Sequence, residues 1–323
     1  MHLSWEKEGS DANPAVTARN AAGSPQWRDG ISGLGMTEIA RFVGATLATS
    51  ALFWILGGIG EASILLPGLP LSALMFVAPA IGALVALGPA ATLRQLRAGV
   101  AAARRWPGRI GRSLGWAPLM PAVVLVTYPL QAWIGRPLPP FRVDWVVVLV
   151  LTMAFTVSAI VEEVGWTSVL TVRLLRQWRP VWVGLAVGTL WTLVHSVPYV
   201  QAGNPASWVA WQCLFSIVFR VALVFAFTLT GASLSVVVVL HATYNVAWGL
   251  YPSQGSHYDP LFATATIACV AVALAAVHAL KPASGAPSRR SRPGHWDPGG
   301  PATPRGGLPR RPPPGPGVRA SRG

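Results

Sequence analysis

The chain has 323 residues, of which 52% are hydrophobic and only 11% charged. A soluble domain carries about 25% charged residues, and the apolar residues here fall in long unbroken runs, which excludes an ordinary water-soluble globule. The formal net charge of +14 does not point to nucleic acid. Its arginines lie between or outside the apolar runs, as membrane-surface electrostatics and orientation require.

Residues 1–36 mix acids and bases (Glu6, Glu8, Asp11 and Asp29 with Lys7, Arg19 and Arg28) and hold no early apolar stretch. They read as a flexible N-terminal tail rather than a secretory signal. A helix needs about 20 mostly apolar residues to cross the hydrocarbon core. Eight segments qualify, at roughly 37–58, 64–88, 117–135, 143–161, 181–199, 208–229, 233–250 and 261–280. Unpaired backbone amides are not tolerated in lipid, so each should be a helix. The expected fold is therefore an all-α, polytopic transmembrane bundle over 37–280. From 281 to 323 the chain is Pro, Gly, Ser and Arg with almost no large apolar residue, a composition expected to stay disordered.

Orientation follows from the arginines. Arg94, Arg97, Arg104, Arg105, Arg109 and Arg112 lie between the second and third segments, and Arg173, Arg176 and Arg179 between the fourth and fifth. Lys281 and further arginines follow the eighth. The other side holds only Arg136 and Arg142, with Glu61 and Asp259. The positive-inside rule then places both termini in the cytoplasm of a cell-membrane protein. Cys213 and Cys269 both lie in apolar stretches without metal-ligand spacing and read as small core or lipid-facing residues.

A carboxylate in lipid costs at least about 2.5–3.5 kcal/mol, so the acids inside apolar segments carry information. Glu162 and Glu163 stand side by side near the end of the fourth segment, in Ala159-Ile160-Val161-Glu162-Glu163-Val164-Gly165-Trp166. Neighbours on a helix point about 100° apart, so one glutamate can face a central cavity while the other makes a structural contact. His195 lies in the fifth segment, and His241 in the seventh with Asn245 four residues on, on the same face. One buried histidine is usually a packing residue. Two histidines, an asparagine and a glutamate pair on three separate spans favour a shared polar centre. Arg220, within the sixth segment, needs a glutamate partner or a route to the interface.

Glu162-Glu163 with an aromatic three residues later, then aromatic-x-x-x-His at Trp191–His195, then His-x-x-x-Asn at His241–Asn245, resembles the CPBP family. These are the type II CAAX prenyl endopeptidases and their bacterial Abi or bacteriocin-processing relatives. The resemblance covers roughly 115–280. It implies an intramembrane glutamate protease in which Glu162 and His195 activate water, His241 and Asn245 stabilise the oxyanion, Glu163 orients its neighbours and Trp191 shapes the pocket. No cofactor is implied; a zinc-dependent variant would use Glu162, His195 and His241 as ligands. The partners implied are the lipid bilayer and a membrane-anchored peptide or protein substrate. The sequence departs from the family at Thr167, where the motif commonly carries an arginine that pairs with the second glutamate. That departure leaves Glu163 to Arg173, Arg220 or water, and keeps open an inactive scaffold or immunity-type protein. A transporter is the remaining alternative, without the paired broken helices that would favour it.

Overall fold

A computed structural model describes residues 36–59, 70–104, 113–252 and 255–280. Among these residues the chain is all helical, without strands. Helix α1 spans Met36–Ile59; a 3-10 segment, Leu71–Val77, leads into α2 (Ala78–Leu87), followed by α3 (Pro89–Arg104). Next come α4 (Leu119–Trp133) and α5 (Trp145–Gly165), which runs on through a π-helical turn, Trp166–Thr171, into Val172–Leu174. Helices α6 (Pro180–Gln201), α7 (Ala206–Leu229), α8 (Leu234–Leu250) and α9 (Pro260–Leu280) complete the bundle.

Local chemistry sets several of these boundaries. Asp144 caps α5, its carboxylate accepting from the backbone N–H of Val146 at 2.8 Å and of Val147 at 3.2 Å. Pro180 opens α6 at a position where its missing N–H costs nothing. Gly88 takes φ +77° between α2 and α3, a left-handed region open to glycine, and the chain bends there by 117°.

Five helices are long and apolar enough to cross a membrane: α1, α5 with its continuation to Leu174, α6, α7 and α9. The bent pair formed by Leu71–Leu87 and Pro89–Gln95 makes a sixth if taken as one span. The expected eight spans are thus not reached by length. All eight apolar segments contain helix, but α4 has 15 residues and α8 has 17. The expected 117–135 stretch includes turn residues at both ends of α4, and the expected 233–250 stretch is itself only a residue longer than α8. Residues 64–69 of the expected second span, and both tails, lie outside the described residues.

The bundle is apolar on its outside and polar at its centre. Along α5, Val146, Leu149, Val150, Met153, Val157 and Ile160 form an exposed stripe at helical spacing, while Glu162 and Glu163 are buried. An apolar outer face around an apolar core that encloses a small polar cluster fits a lipid environment. Helix α7 is the most deeply buried of the long helices and packs against α6 on one side and α9 on another. Helix α8 packs on α5 and α4.

Close approach of α6 to α7 depends on Gly184 and Gly188, four residues apart on one face. A Cβ at Gly184 would sit 2.6 Å from the Cα of Val221, and one at Gly188 would sit 2.9 Å from the Cα of Ile217. Small residues at this spacing let membrane helices meet backbone to backbone. A Cβ at Gly165 would likewise lie 2.3 Å from the carbonyl oxygen of Pro79, so α2 presses on α5 just beyond the glutamates. Gly44 on α1 has nothing within 4 Å of its Cβ position. Gly184→Ala is therefore expected to lower stability by about 1–3 kcal/mol through overpacking, and Gly44→Ala to cause no such loss. Chemical denaturation of the purified protein in detergent measures both.

Candidate active site

Glu162 and Glu163 arrive at the bundle centre on the last turn of α5, ahead of the π-helical turn. π-turns frequently accompany functional sites. This one changes the helical phase immediately after the glutamates, and Thr171 closes it by donating its hydroxyl to the carbonyl of Trp166 at 2.8 Å. Both carboxyl groups are buried, as expected for adjacent residues near a helix end that packs inward, yet they have different partners.

Glu163 is held from three helices. Arg220 Nη1 on α7 lies 2.8 Å from each of its oxygens. His241 Nδ1 on α8 lies 2.8 Å from Oε1, and Thr167, one turn ahead on the π-turn, donates its hydroxyl to Oε2 at 2.5 Å. The carboxylate accepts only, so His241 must carry its proton on Nδ1. Arg220 is fully buried, and its guanidinium carbon sits 4.7 Å over the ring of Trp191. Of the candidate partners, Arg220 thus takes the role; Arg173 instead donates Nη1 to the carbonyl of Val169 at 2.6 Å.

Glu162 is held more loosely. Trp191 Nε1 donates to Oε2 at 2.9 Å. His195 Nε2 faces the same oxygen at 3.8 Å, and His241 Nε2 faces Oε1 at 4.0 Å. His195 Nδ1 lies 2.8 Å from the carbonyl oxygen of Trp191, an acceptor, so its Nδ1 is also protonated. Both imidazoles are therefore oriented through Nδ1 and present Nε2 to one carboxylate, each at a separation too long for a direct hydrogen bond.

Trp191 is the hub of this arrangement. Its ring centroid lies 4.6 Å from that of His195 and 5.6 Å from that of His241 in an edge-on contact, while its N–H fixes Glu162. The spacing of Trp191 and His195 along α6 puts both on one face, and Gly188 keeps that face close to α7. His195 is half-buried, so the centre is not sealed on that side.

The structure thus brings together Glu162, Glu163, Thr167, Trp191, His195 and His241. Asn245 follows His241 by one turn of α8 and is half-buried, without a side-chain hydrogen bond among the described contacts. Arg220 joins the centre beyond the residues marked by the motifs. Its signal was its placement, with Gln212 and Ser216, on a single stripe of α7 at intervals of four. Gln212 leads into a second polar cluster. Its Nε2 donates to the Tyr244 hydroxyl at 3.3 Å, and its Oε1 accepts from the Tyr258 hydroxyl at 3.1 Å. The two tyrosine hydroxyls are 2.9 Å apart, which closes the cluster on itself.

Among the described residues, no group of three or more His, Cys, Asp or Glu side chains is placed to hold a metal ion. Glu162, His195 and His241, the set a zinc-dependent variant would use, stand further apart than zinc-bound ligands do. Ligands around tetrahedral zinc, bound at about 2.0–2.1 Å, stand roughly 3.3 Å apart, and the separations here are 3.8 and 4.0 Å.

The two glutamates should respond differently to the same change. Glu163→Gln leaves Arg220 as an uncompensated buried charge and is expected to cost about 3–5 kcal/mol. Glu162→Gln keeps an acceptor for Trp191 and strands no cation, so its cost is expected within about 1 kcal/mol. Equilibrium denaturation in detergent distinguishes them.

No curated protein gives a significant match to the chain. The Rce1-like family, described as type II CAAX prenyl endopeptidase Rce1-like, matches residues 144–247, from the cap of α5 to just past Asn245. Over those residues the chain is similar to the Rce1-like family, which is consistent with the resemblance of its motifs to the CPBP family.

Proposed function

We propose that the protein is an intramembrane endopeptidase that hydrolyses a peptide bond of a membrane-associated peptide or protein, using water activated by Glu162 and His195. The Rce1-like family is a protease family. The observation that carries the mechanism is the pair of imidazole Nε2 atoms facing the two oxygens of one buried carboxylate.

Those gaps are too long for direct bonds and short enough for a single water to contact both groups. Glu162 takes the water's proton as general base, His195 orients the water through Nε2, and hydroxide adds to the scissile carbonyl. Asn245 then faces the developing oxyanion with its amide N–H, and His241 joins it as a donor when Nε2 also carries a proton, the step at which preorganised donors contribute most. Protonated Glu162 returns its proton to the leaving amine, so the cycle balances without a covalent intermediate. Glu163 fixes His241 through Nδ1, and Trp191 fixes Glu162. No metal is required by this scheme.

The positive-inside rule supports a cytoplasmic position for the arginine-rich connections and, with an even number of spans, for both termini. Glu162 sits near that side, at the end of the apolar stripe of α5. The substrate is a membrane-anchored chain whose cleaved bond reaches this level. Thr167 favours one alternative, a catalytically inactive protein of the same architecture that binds rather than cuts.

Membranes with and without the protein, compared by proteomics of peptide termini, supply the substrate. On a tagged version of it, Glu162→Gln and His195→Ala are each expected to lower the cleavage rate by about 10²–10⁴-fold, and Asn245→Ala by about 10²–10³-fold. Cleavage by Glu162→Gln and His195→Ala at the wild-type rate would sink the proposal. The same purified enzyme should keep its rate after treatment with a zinc chelator; loss of activity restored by added zinc would require a metal-dependent scheme instead.

A further inference from the structure

We infer that Arg220 is a positioning residue of this centre, supplying from α7 the cation that the family motif carries on the glutamate helix itself. The inference builds on the endopeptidase reading for its effect on rate, and on geometry alone for its effect on His241.

Two routes connect Arg220 to Glu162, and neither involves direct contact. In one, Nη1 binds both oxygens of Glu163, Glu163 Oε1 accepts from His241 Nδ1, and His241 Nε2 faces Glu162 Oε1. In the other, the guanidinium lies over the ring of Trp191, whose N–H binds Glu162 Oε2. Removing the cation therefore releases both side chains that orient Glu162.

Space for this exchange has been made at two positions. Thr167 occupies the motif's arginine place with a short side chain, and its hydroxyl still binds Glu163. On the facing helix Gly188 leaves room for the arginine stem: a Cβ there would come within 3.2 Å of the Arg220 Cβ. Arg220 itself is fully buried, and its Nε and Nη2 have no partner among the described residues. Glu163 and the Trp191 ring hold it in place.

Charge balance gives Arg220 its leverage. With both glutamates ionised, Glu162, Glu163 and Arg220 sum to one negative charge. One proton shared among Glu162, His195 and His241 makes the buried set neutral, which low-dielectric surroundings favour. With that proton on a histidine, Glu162 stays ionised and free to accept the water's proton in the proposed cycle. Without Arg220 a second proton or an uncompensated carboxylate is required, and His241 is the nearest group to register the change.

The test uses the full-length protein in lipid nanodiscs, as wild type, Arg220→Gln, Thr167→Arg and the double variant. Nitrogen-15 NMR of labelled histidine reads the ring nitrogens of His241, assigned by their loss in His241→Gln. Thermal melting monitors folding, and cleavage of the tagged substrate gives kcat and KM. Arg220→Gln is expected to shift the His241 signals and to lower kcat by about 10²-fold while KM stays within about threefold, as for a misplaced catalytic group. Adding Thr167→Arg to it should restore the signals and recover at least about tenfold of the rate, because the cation returns to Glu163 from one turn away. A folded Arg220→Gln protein with wild-type His241 signals and kcat would overturn the inference. So would a folded double variant that recovers neither. If Arg220→Gln alone does not fold, the double variant decides: folding with wild-type His241 signals supports the inference, and failure to fold overturns it. If no protein cleaves, wild type included, while the His241 signals move and return as expected, the positioning role stands and the endopeptidase reading falls.

Discussion

A fully buried carboxylate, Glu163, ties the centre of this bundle together. Its partners come from α5, α7 and α8, and each satisfies a group that would otherwise be stranded away from water. An ionised carboxylate without partners is not tolerated in such surroundings. Three elements must therefore converge on one point before the charge can be buried, and the positions of His241 and Arg220 follow from that requirement. Glu162, one residue earlier, benefits from the same convergence. It arrives in a frame already made rigid, and it is held by one hydrogen bond, from Trp191.

This division between the two glutamates is what a reactive centre needs. A base held by many strong donors would be a poor acceptor of protons, because each donor stabilises its charged form. Glu163 has three side-chain partners, whereas Glu162 has one hydrogen bond, from Trp191. The histidines obey the same economy. Each is oriented by a bond at Nδ1, to a main-chain carbonyl for His195 and to Glu163 for His241, and each leaves Nε2 toward Glu162. Second partners of this kind fix tautomer and ring direction together.

Much of this was legible in the sequence because lipid makes polar residues conspicuous. Glu162, Glu163, His195 and His241 stand out in apolar runs, and the helices that hold them are found where the runs lie. Span lengths were less legible. The expected third span, 117–135, runs past both ends of α4, so composition overstates that helix. Helix α8 instead fills its expected 233–250 run and is short because the run is short. Pro70 and Pro79 accompany a 3-10 start before the sharp bend at Gly88. The bond between Arg220 and Glu163 was open rather than hidden. The two residues are 57 positions apart, and nothing local says that α7 rather than a connecting loop supplies the cation. The contact of Gly184 and Gly188 with α7 decides it, and that contact exists only once the helices are packed. Asn245 shows the converse: helical spacing places it on the face of His241, yet the fold gives its side chain no fixed partner.

A cation supplied by another helix also changes the order in which the protein can be made. An arginine four residues along the same helix can meet its glutamate as soon as that helix forms. Arg220 cannot, because α6 must be synthesised and threaded between α5 and α7. Until α7 enters, Glu163 is an unmatched acid at the end of a nascent span, and Arg220 then enters as an unmatched base, each at a cost of at least about 2.5–3.5 kcal/mol. Biogenesis of this chain therefore passes through a stage at which Glu163 lacks its later partners, and the set is complete only once α7 brings Arg220 and α8, made after it, brings His241.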